Sequence, residues 1–332
     1  MRSSHRRGVE RRARQVAHVG TAVVAFAALM FSASHADAYC RTTTDGLIPG
    51  CNIAAGQCCA VGRPLYWVNS CVGWSLQKNG TRQLPYNSVK SVIDAAFGKW
   101  SNVDCTRSSG TSKVTLSFDE QADVDCSEVR YNKDAKNQNV IVFRDTKWDH
   151  SDSSNTLGLT TVVFDPNSGE IFDADMELNT ADQVLSLDPV PKNGYDFDSI
   201  VTHEAGHFLG LAHSPDPEAT MYAHYTPGST NMRDLAPDDE NGVCSIYISA
   251  TNEYANGRRV TGDGGTFVAA GPCDPAARHG FSTACAEANS SSKGCSIGGT
   301  GSGTAGTGMF AAVGLVFSLG MARRARRSRR ET

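Results

Sequence analysis

The sequence predicts a domain of the α+β class, with α/β as the alternative at this stage, and three observations carry the prediction. Apolar residues recur at helical spacing in two well-separated stretches. Between those stretches lie four short runs rich in β-branched and aromatic residues, bounded by turn residues. The chain has 332 residues, 40% hydrophobic and 20% charged, which is enough to bury a sizeable core.

Taken in order, the chain opens with a basic stretch, an apolar run "VGTAVVAFAALMF" and then "ADA" at Ala36 to Ala38. That order predicts an export signal over 1–38, cleaved before Tyr39. An uncleaved membrane anchor is the alternative, although the apolar run is short for a span. Eleven cysteines in an exported chain read as disulfides. Five of them lie from Cys40 to Cys71, so 39–64 is expected to be a stapled, loop-rich segment. "NSVKSVIDAAFGKWSNV" places Val89, Val92, Ile93, Ala96, Phe97 and Trp100 on one helical face, with Asn87 or Ser88 as the cap. Strands are expected at "KVTLSF" (Lys113 to Phe118), "NVIVFR" (Asn139 to Arg144), "LTTVVF" (Leu159 to Phe164) and "EIFDADMEL" (Glu170 to Leu178). "DPNSG" turns the chain between the last two. "DFDSIVTHEAGHFLGL" is a second helix capped by Asp196 or Asp198. A third starts near Pro237, with Asp238 and Asp239 favouring its positive end. Residues 249–303 read as a Gly/Ser/Thr/Ala-rich linker with a local Cys273–Cys285 loop. Residues 304–332 hold an apolar stretch of about a membrane's thickness, followed by an arginine cluster.

Charge narrows the partners. Six arginines precede Val16 and six follow Ala322. Setting those ends aside leaves 19 basic against 32 acidic residues, so the body of the chain carries about −13. Phosphate binding needs a basic surface, so nucleic acid is excluded as the expected partner.

The chemistry concentrates in "HEAGHFLGLAHS". His203 and His207 are four apart, so a helix stacks them on one face and two imidazoles can reach one metal ion. Gly210 can take a left-handed conformation that ends the helix and brings His213 back as a third ligand. Three neutral imidazoles around zinc leave a position open for water, and Glu204 stands beside them as the candidate general base. Five fixed positions make a chance match about a few in ten million per start. A zinc site that is only structural is the alternative, but such a site would not need Glu204.

This spacing, H-E-x-x-H-x-x-G-x-x-H, resembles the metzincin zinc-protease signature. Ser214 after the third histidine resembles the matrixin branch, "EATMYAHYTPG" its Met-turn, "LAPDDENGVCSIY" its closing helix and "AFGKWSNV" the end of its first helix. The resemblance covers 65–248. It implies an α+β, metzincin-like fold with a twisted mixed sheet, an active-site helix and a small C-terminal subdomain below the cleft. It implies that His203, His207 and His213 hold one catalytic zinc, that Glu204 activates water against a peptide carbonyl, and that Met221 lies beneath the metal. Tyr222, Ala223, His224 and Tyr225 would line the pocket for the residue after the scissile bond. Ala223, where a tyrosine would be needed, argues against the astacin and serralysin branches. A substrate would lie extended along the edge strand "LTTVVF".

The sequence also departs from the family. No histidine stands between Leu159 and Asn179 to hold a second, structural zinc, and His150 is alone upstream on the surface. One zinc is therefore expected. Asp173, Asp175 and Glu177 share a strand face that could hold calcium, the alternative being an exposed acidic face. No propeptide cysteine motif is present; Cys51 could serve, but a disulfide role fits it better. At the other end, Cys295 in "KGCSIGG", before a glycine-rich spacer, apolar stretch and arginines, resembles the myxobacterial C-terminal sorting tail. Setting Cys295 aside leaves ten cysteines to pair. The expectation is an exported, surface-anchored, monomeric zinc endopeptidase acting on a protein or peptide. A surface binding module on an inactivated protease fold is the alternative.

Overall fold

A computed structural model describes residues 39–45, 58, 61–69, 71–106, 113–247, 274–285 and 313–321. The strands in chain order are β1 (Cys40–Arg41), β2 (Cys71–Leu76), β3 (Ser117–Glu120), β4 (Val140–Phe143), β5 (Thr156–Phe164), β6 (Ile171–Leu178), β7 (Leu185–Ser186), β8 (Tyr195–Asp196), β9 (Leu211–Ala212), β10 (His224–Tyr225) and β11 (Val313–Met321). The helices are α1 (Tyr86–Ser101), α2 (Phe197–Phe208) and α3 (Pro237–Ile246), with a 3-10 turn at Asn231–Arg233. The main sheet runs β10-β11-β5-β6-β4-β2-β3. β3, β2, β4 and β6 are parallel neighbours, while β5 is antiparallel to β6. The mixed sheet and the few helices give the expected α+β, metzincin-like fold.

The parallel pairs explain where α1 sits. Two parallel strands need a long crossover, and α1 supplies it between β2 and its neighbours. Its buried residues are Val89, Ile93, Ala96, Phe97 and Trp100, one stripe at helical spacing. The expected cap is not used: Pro85 stands at the N-cap, with no side-chain hydrogen bond. Proline fixes φ there and substitutes conformational bias for a bond. Phe97 meets Trp74 on β2 and Phe208 on α2, with ring centroids 5.8 and 5.2 Å apart, so the core lies between the sheet and both helices. Trp100 donates from Nε1 to the Thr202 carbonyl at 2.9 Å, which fixes α1 against α2. β2 was not anticipated: "CVGWSL" directly follows the cysteine-rich segment, yet it is fully buried. The strand expected at Lys113 to Phe118 is shifted to Ser117–Glu120, with Lys113 only bridging Asp104.

The far face of the sheet corrects two expectations. Cys285 bonds to Cys126, not to Cys273, which lies outside the described residues. The pairing has a packing cause. Residues 274–285 lie against the sheet, where Arg278 stacks 3.8 Å over Phe172 and Phe281 packs on the Val124–Val140–Val142 cluster. Cys40–Cys58 and Cys105–Cys244 are also joined, and Cys71 is disulfide-bonded. The acidic stripe of β6 is the second correction. Asp173, Asp175 and Glu177 do share a face, but all three are buried rather than exposed. Glu177 accepts from Arg144 at 2.6 Å and pairs with His150 at 2.9 Å, so His150 is on the surface, as expected, but not alone. Asp175 accepts the Val140 N–H at 2.8 Å.

Burial pushes the Asp173 carboxyl up to about 7, and burial beside Asp173 raises Asp175 well above the usual carboxylate range. The folded state therefore holds protons that the unfolded chain releases near pH 4. Stability from this pair is greatest below that point and falls as pH rises toward 7. Asp173→Asn should raise the melting temperature at pH 8 by a few degrees, about 2–4 °C for each kcal/mol recovered in a domain of this size. It should leave melting at pH 4 unchanged. A lower melting temperature at pH 8 would show that the ionised Asp173 is wanted.

Candidate active site

The site is built on α2. Asp196 caps its start, accepting from Ser199 N at 3.1 Å and Ser199 Oγ at 2.7 Å. Arg233, from the 3-10 turn, grips the same carboxylate with two bonds of 2.7 Å and reaches Asp188 as well. Tyr225 is locked there too: the Asp196 N–H donates to its hydroxyl, which donates to Ser229 O. At the other end, Trp67 Nε1 and Tyr247 Oη donate to the carbonyls of Phe208 and Leu209 at 2.8 Å each. Those are carbonyls that a helix end leaves without partners. Gly210 then takes φ +92°, as its position required, and a Cβ there would come 2.7 Å from Leu65 O. The chain reverses into β9, which pairs with β1, and delivers His213.

The three histidines converge. Their candidate ligand nitrogens all lie within 4.8 Å of one another, the one such cluster among the described residues. His203 Nδ1 bonds the Thr220 carbonyl at 2.6 Å, and His207 Nδ1 bonds the Leu211 carbonyl at 2.9 Å. These partners turn both Nε2 atoms inward, 3.1 Å apart. His213 Nε2 is buried with no hydrogen-bond partner. Burial holds His203 down to about 3 and His213 to about 4, so the imidazoles are neutral, the form that binds metal. Three convergent neutral imidazoles, one with an orphaned nitrogen, fit a zinc ion with an open position.

Glu204 is fully buried beside them, and its Oε2 accepts the Thr160 hydroxyl at 2.7 Å. A Cβ at Gly158 would meet Glu204 Oε1 at 2.7 Å, so β5 passes close to this carboxylate because residue 158 is glycine. Met221 lies against α2 between the two histidine turns: a Cβ on Gly206 would stand 2.2 Å from its sulfur. Asp239 on α3 holds that turn, accepting from Thr220 N at 2.7 Å, Met221 N at 2.9 Å and Ala236 N at 2.8 Å. Ser214 donates to Asp238 at 2.6 Å. Tyr222 and Ala223 are half-buried, His224 is exposed and Tyr225 is buried. Cys295 and Cys51 lie outside the described residues.

Thr160, Gly158 and Arg233 were not singled out from sequence, and Asp239 was named for its helix start and not for this site. Thr160 looked like one more β-branched residue in a strand, and Asp239 like a helix-start acid. Nothing in the spacing linked Arg233 to Asp196.

The matrixin family model matches residues 66–248, which includes every one of these site residues from Gly158 to Asp239. The chain belongs to the matrixin family. This matrixin is 30% identical over 178 residues to metalloendoproteinase 1 of Glycine max, covering 51% of each chain. It is 29% identical over 204 residues to metalloendoproteinase 2-MMP of Arabidopsis thaliana, covering 57% of this chain and 46% of that one. Over 175 residues it is 28% identical to human neutrophil collagenase, covering 53% of this chain and 32% of that one. The matrixin thus spans about half the length, or less, of the curated relatives it matches.

Proposed function

We propose that this matrixin is a zinc endopeptidase that hydrolyses peptide bonds of proteins or peptides, with Glu204 as general base. The observation that carries the reading is the Glu204 carboxylate. It is buried, held by Thr160, and set on the same helical turns as His203 and His207. A structural metal site has no use for a buried carboxylate beside its ligands. His203, His207 and His213 would hold zinc, which supplies a Lewis acid and lowers the pKa of water when bound. Glu204 takes the proton from the attacking water and carries it toward the leaving amine. Thr160 holds the carboxylate toward β5, and Met221 floors the histidine pair. Tyr222 to His224 form one wall of the pocket for the residue after the scissile bond, while Tyr225 anchors that wall through Asp196. The test is a quenched peptide library incubated with the protein, with and without chelator. Chelator-sensitive cleavage supports the reading. Tight peptide binding without cleavage would favour a binding module instead.

One zinc per chain is expected, because Glu177 pairs with His150 and the triad His203, His207 and His213 is the one metal-ligating cluster among the described residues. Elemental analysis after removal of loosely bound metal should read close to one; a value near two would overturn this. Calcium is a secondary candidate, supported by the buried Asp173, neither of whose oxygens is hydrogen-bonded. A rise in melting temperature on adding calcium at pH 8 supports it.

We also propose export and surface retention. The support is the signal-like start, the disulfides Cys40–Cys58, Cys105–Cys244 and Cys126–Cys285, and the Cys295-to-arginine tail. Among the described residues no helix is long and apolar enough to cross a membrane, and Val313–Met321 of the tail forms β11. Intact mass from the native host tests the tail. Loss of the segment after Cys295 supports sorting, and a mature chain ending in "RRSRRET" would sink the processing claim.

A further inference from the structure

β5 is the strand nearest Glu204, and without a neighbour its outer edge would present unpaired backbone groups. That edge is filled by the chain's own C-terminal region. β11 runs antiparallel along β5, from Val313 opposite Phe164 to Gly320 opposite Thr156. Its other side pairs in parallel with β10, Gly320 against His224 and Met321 against Tyr225. The nine residues therefore lie extended between the two walls of the cleft. Phe317 takes the register position of Thr160, the residue bonded to Glu204, and Val316 and Ser318 flank it. β11 also approaches α2.

An extended peptide gains affinity on a sheet edge by completing the backbone ladder. A segment on the same chain does so at an effective concentration on the order of millimolar, without a second molecule. Any other peptide that uses the β5 edge must displace it.

We infer that Val313–Met321 is a tethered occupant of the peptide-binding groove and holds the matrixin latent while it stays seated. The inference rests on the peptidase reading for what is inhibited, but not for where the strand lies. It identifies a latency device at the opposite end of the chain from a propeptide. It also makes activation the same event as removal or withdrawal of the tail, since nine residues seated in the sheet cannot at the same time enter a membrane.

The test uses full-length chain, its tail verified by intact mass, against the same chain carrying Val316→Pro and Phe317→Pro. Of these two adjacent N–H groups one faces β5, so the prolines remove a ladder donor and bar the seated strand. Amide exchange over Thr156–Phe164 should quicken about tenfold in the double variant. Its kcat/KM on a quenched peptide should rise about tenfold, mostly through KM, as expected when a weak ligand is held at millimolar effective concentration. A synthetic peptide of residues 313–324 should then inhibit the double variant competitively. Equal kcat/KM in two active proteins overturns the inference. If neither protein cleaves, exchange decides: faster exchange in the variant keeps the seated strand and sinks the peptidase reading, whereas equal exchange overturns the seated strand.

Discussion

Glu204→Gln is expected to keep one bound zinc and lose about a thousandfold of peptidase activity, within the range that a positioned general base contributes. The substitution is nearly isosteric. Its amide oxygen can still accept from Thr160, whose hydroxyl lies 2.7 Å from the present carboxylate, so the fold and the histidine cluster should persist. What disappears is the basic oxygen. His207→Ala makes the contrast, because it removes an imidazole whose Nε2 stands 3.1 Å from that of His203 and should lose metal and activity together. Elemental analysis and kcat/KM on one quenched peptide separate the two. Near wild-type cleavage by Glu204→Gln would falsify its role as base.

Asp239→Ala should be the most destabilising polar substitution in the site, by about 3–5 kcal/mol, because it leaves two buried backbone N–H groups and a third, half-buried one without their acceptor. In a domain of this size that is a fall in melting temperature of roughly 6–20 °C. Burial raises this carboxyl to about 6, against the three N–H groups that favour its charged form. Asp239→Asn keeps one accepting oxygen and should cost less. Magnitude decides between two roles. As a helix-start acid alone, Asp239 would be worth about 0.3–1 kcal/mol. A thermal melt showing a loss within that smaller range would mean that the Met221 turn holds itself.

The contrast between these two residues shows what the sequence could and could not disclose. His203 and His207 were legible because a helix converts spacing into direction: residues four apart must share a face, and Glu204 was legible as their immediate neighbour. Gly210 was legible because few residues take positive φ. The helices and three of the four expected strands followed from periodicity, a local property. Asp239 was read as a helix-start acid, which its bond from Ala236 N bears out, but its hold on the Met221 turn was missed because those partners are 18 and 19 residues away and nothing local announces them. Asp173 was misjudged for a related reason. Alternation put it on one face with Asp175 and Glu177, but spacing along a strand does not tell whether that face is covered, and all three are buried. The apolar stretch near the C-terminus had the composition of a membrane span, and composition does not reveal that a strand edge beside Glu204 offers the same residues a ladder of partners.

The bridge from Cys126 to Cys285 sets which cuts can shed the C-terminal part of the molecule. A nick anywhere between Tyr247 and Cys285 leaves both fragments on one covalent skeleton, so on a non-reducing gel the protein runs as a single species and separates only with reductant. A nick beyond Cys285 takes the remainder out of reach of this bridge and leaves β11 held by its ladder alone. An external protease attacking the Gly/Ser-rich stretch before Asp274 would thus nick the chain without releasing anything, and the same attack a few residues after Cys285 would leave the tail strand to dissociate at the rate its ladder allows.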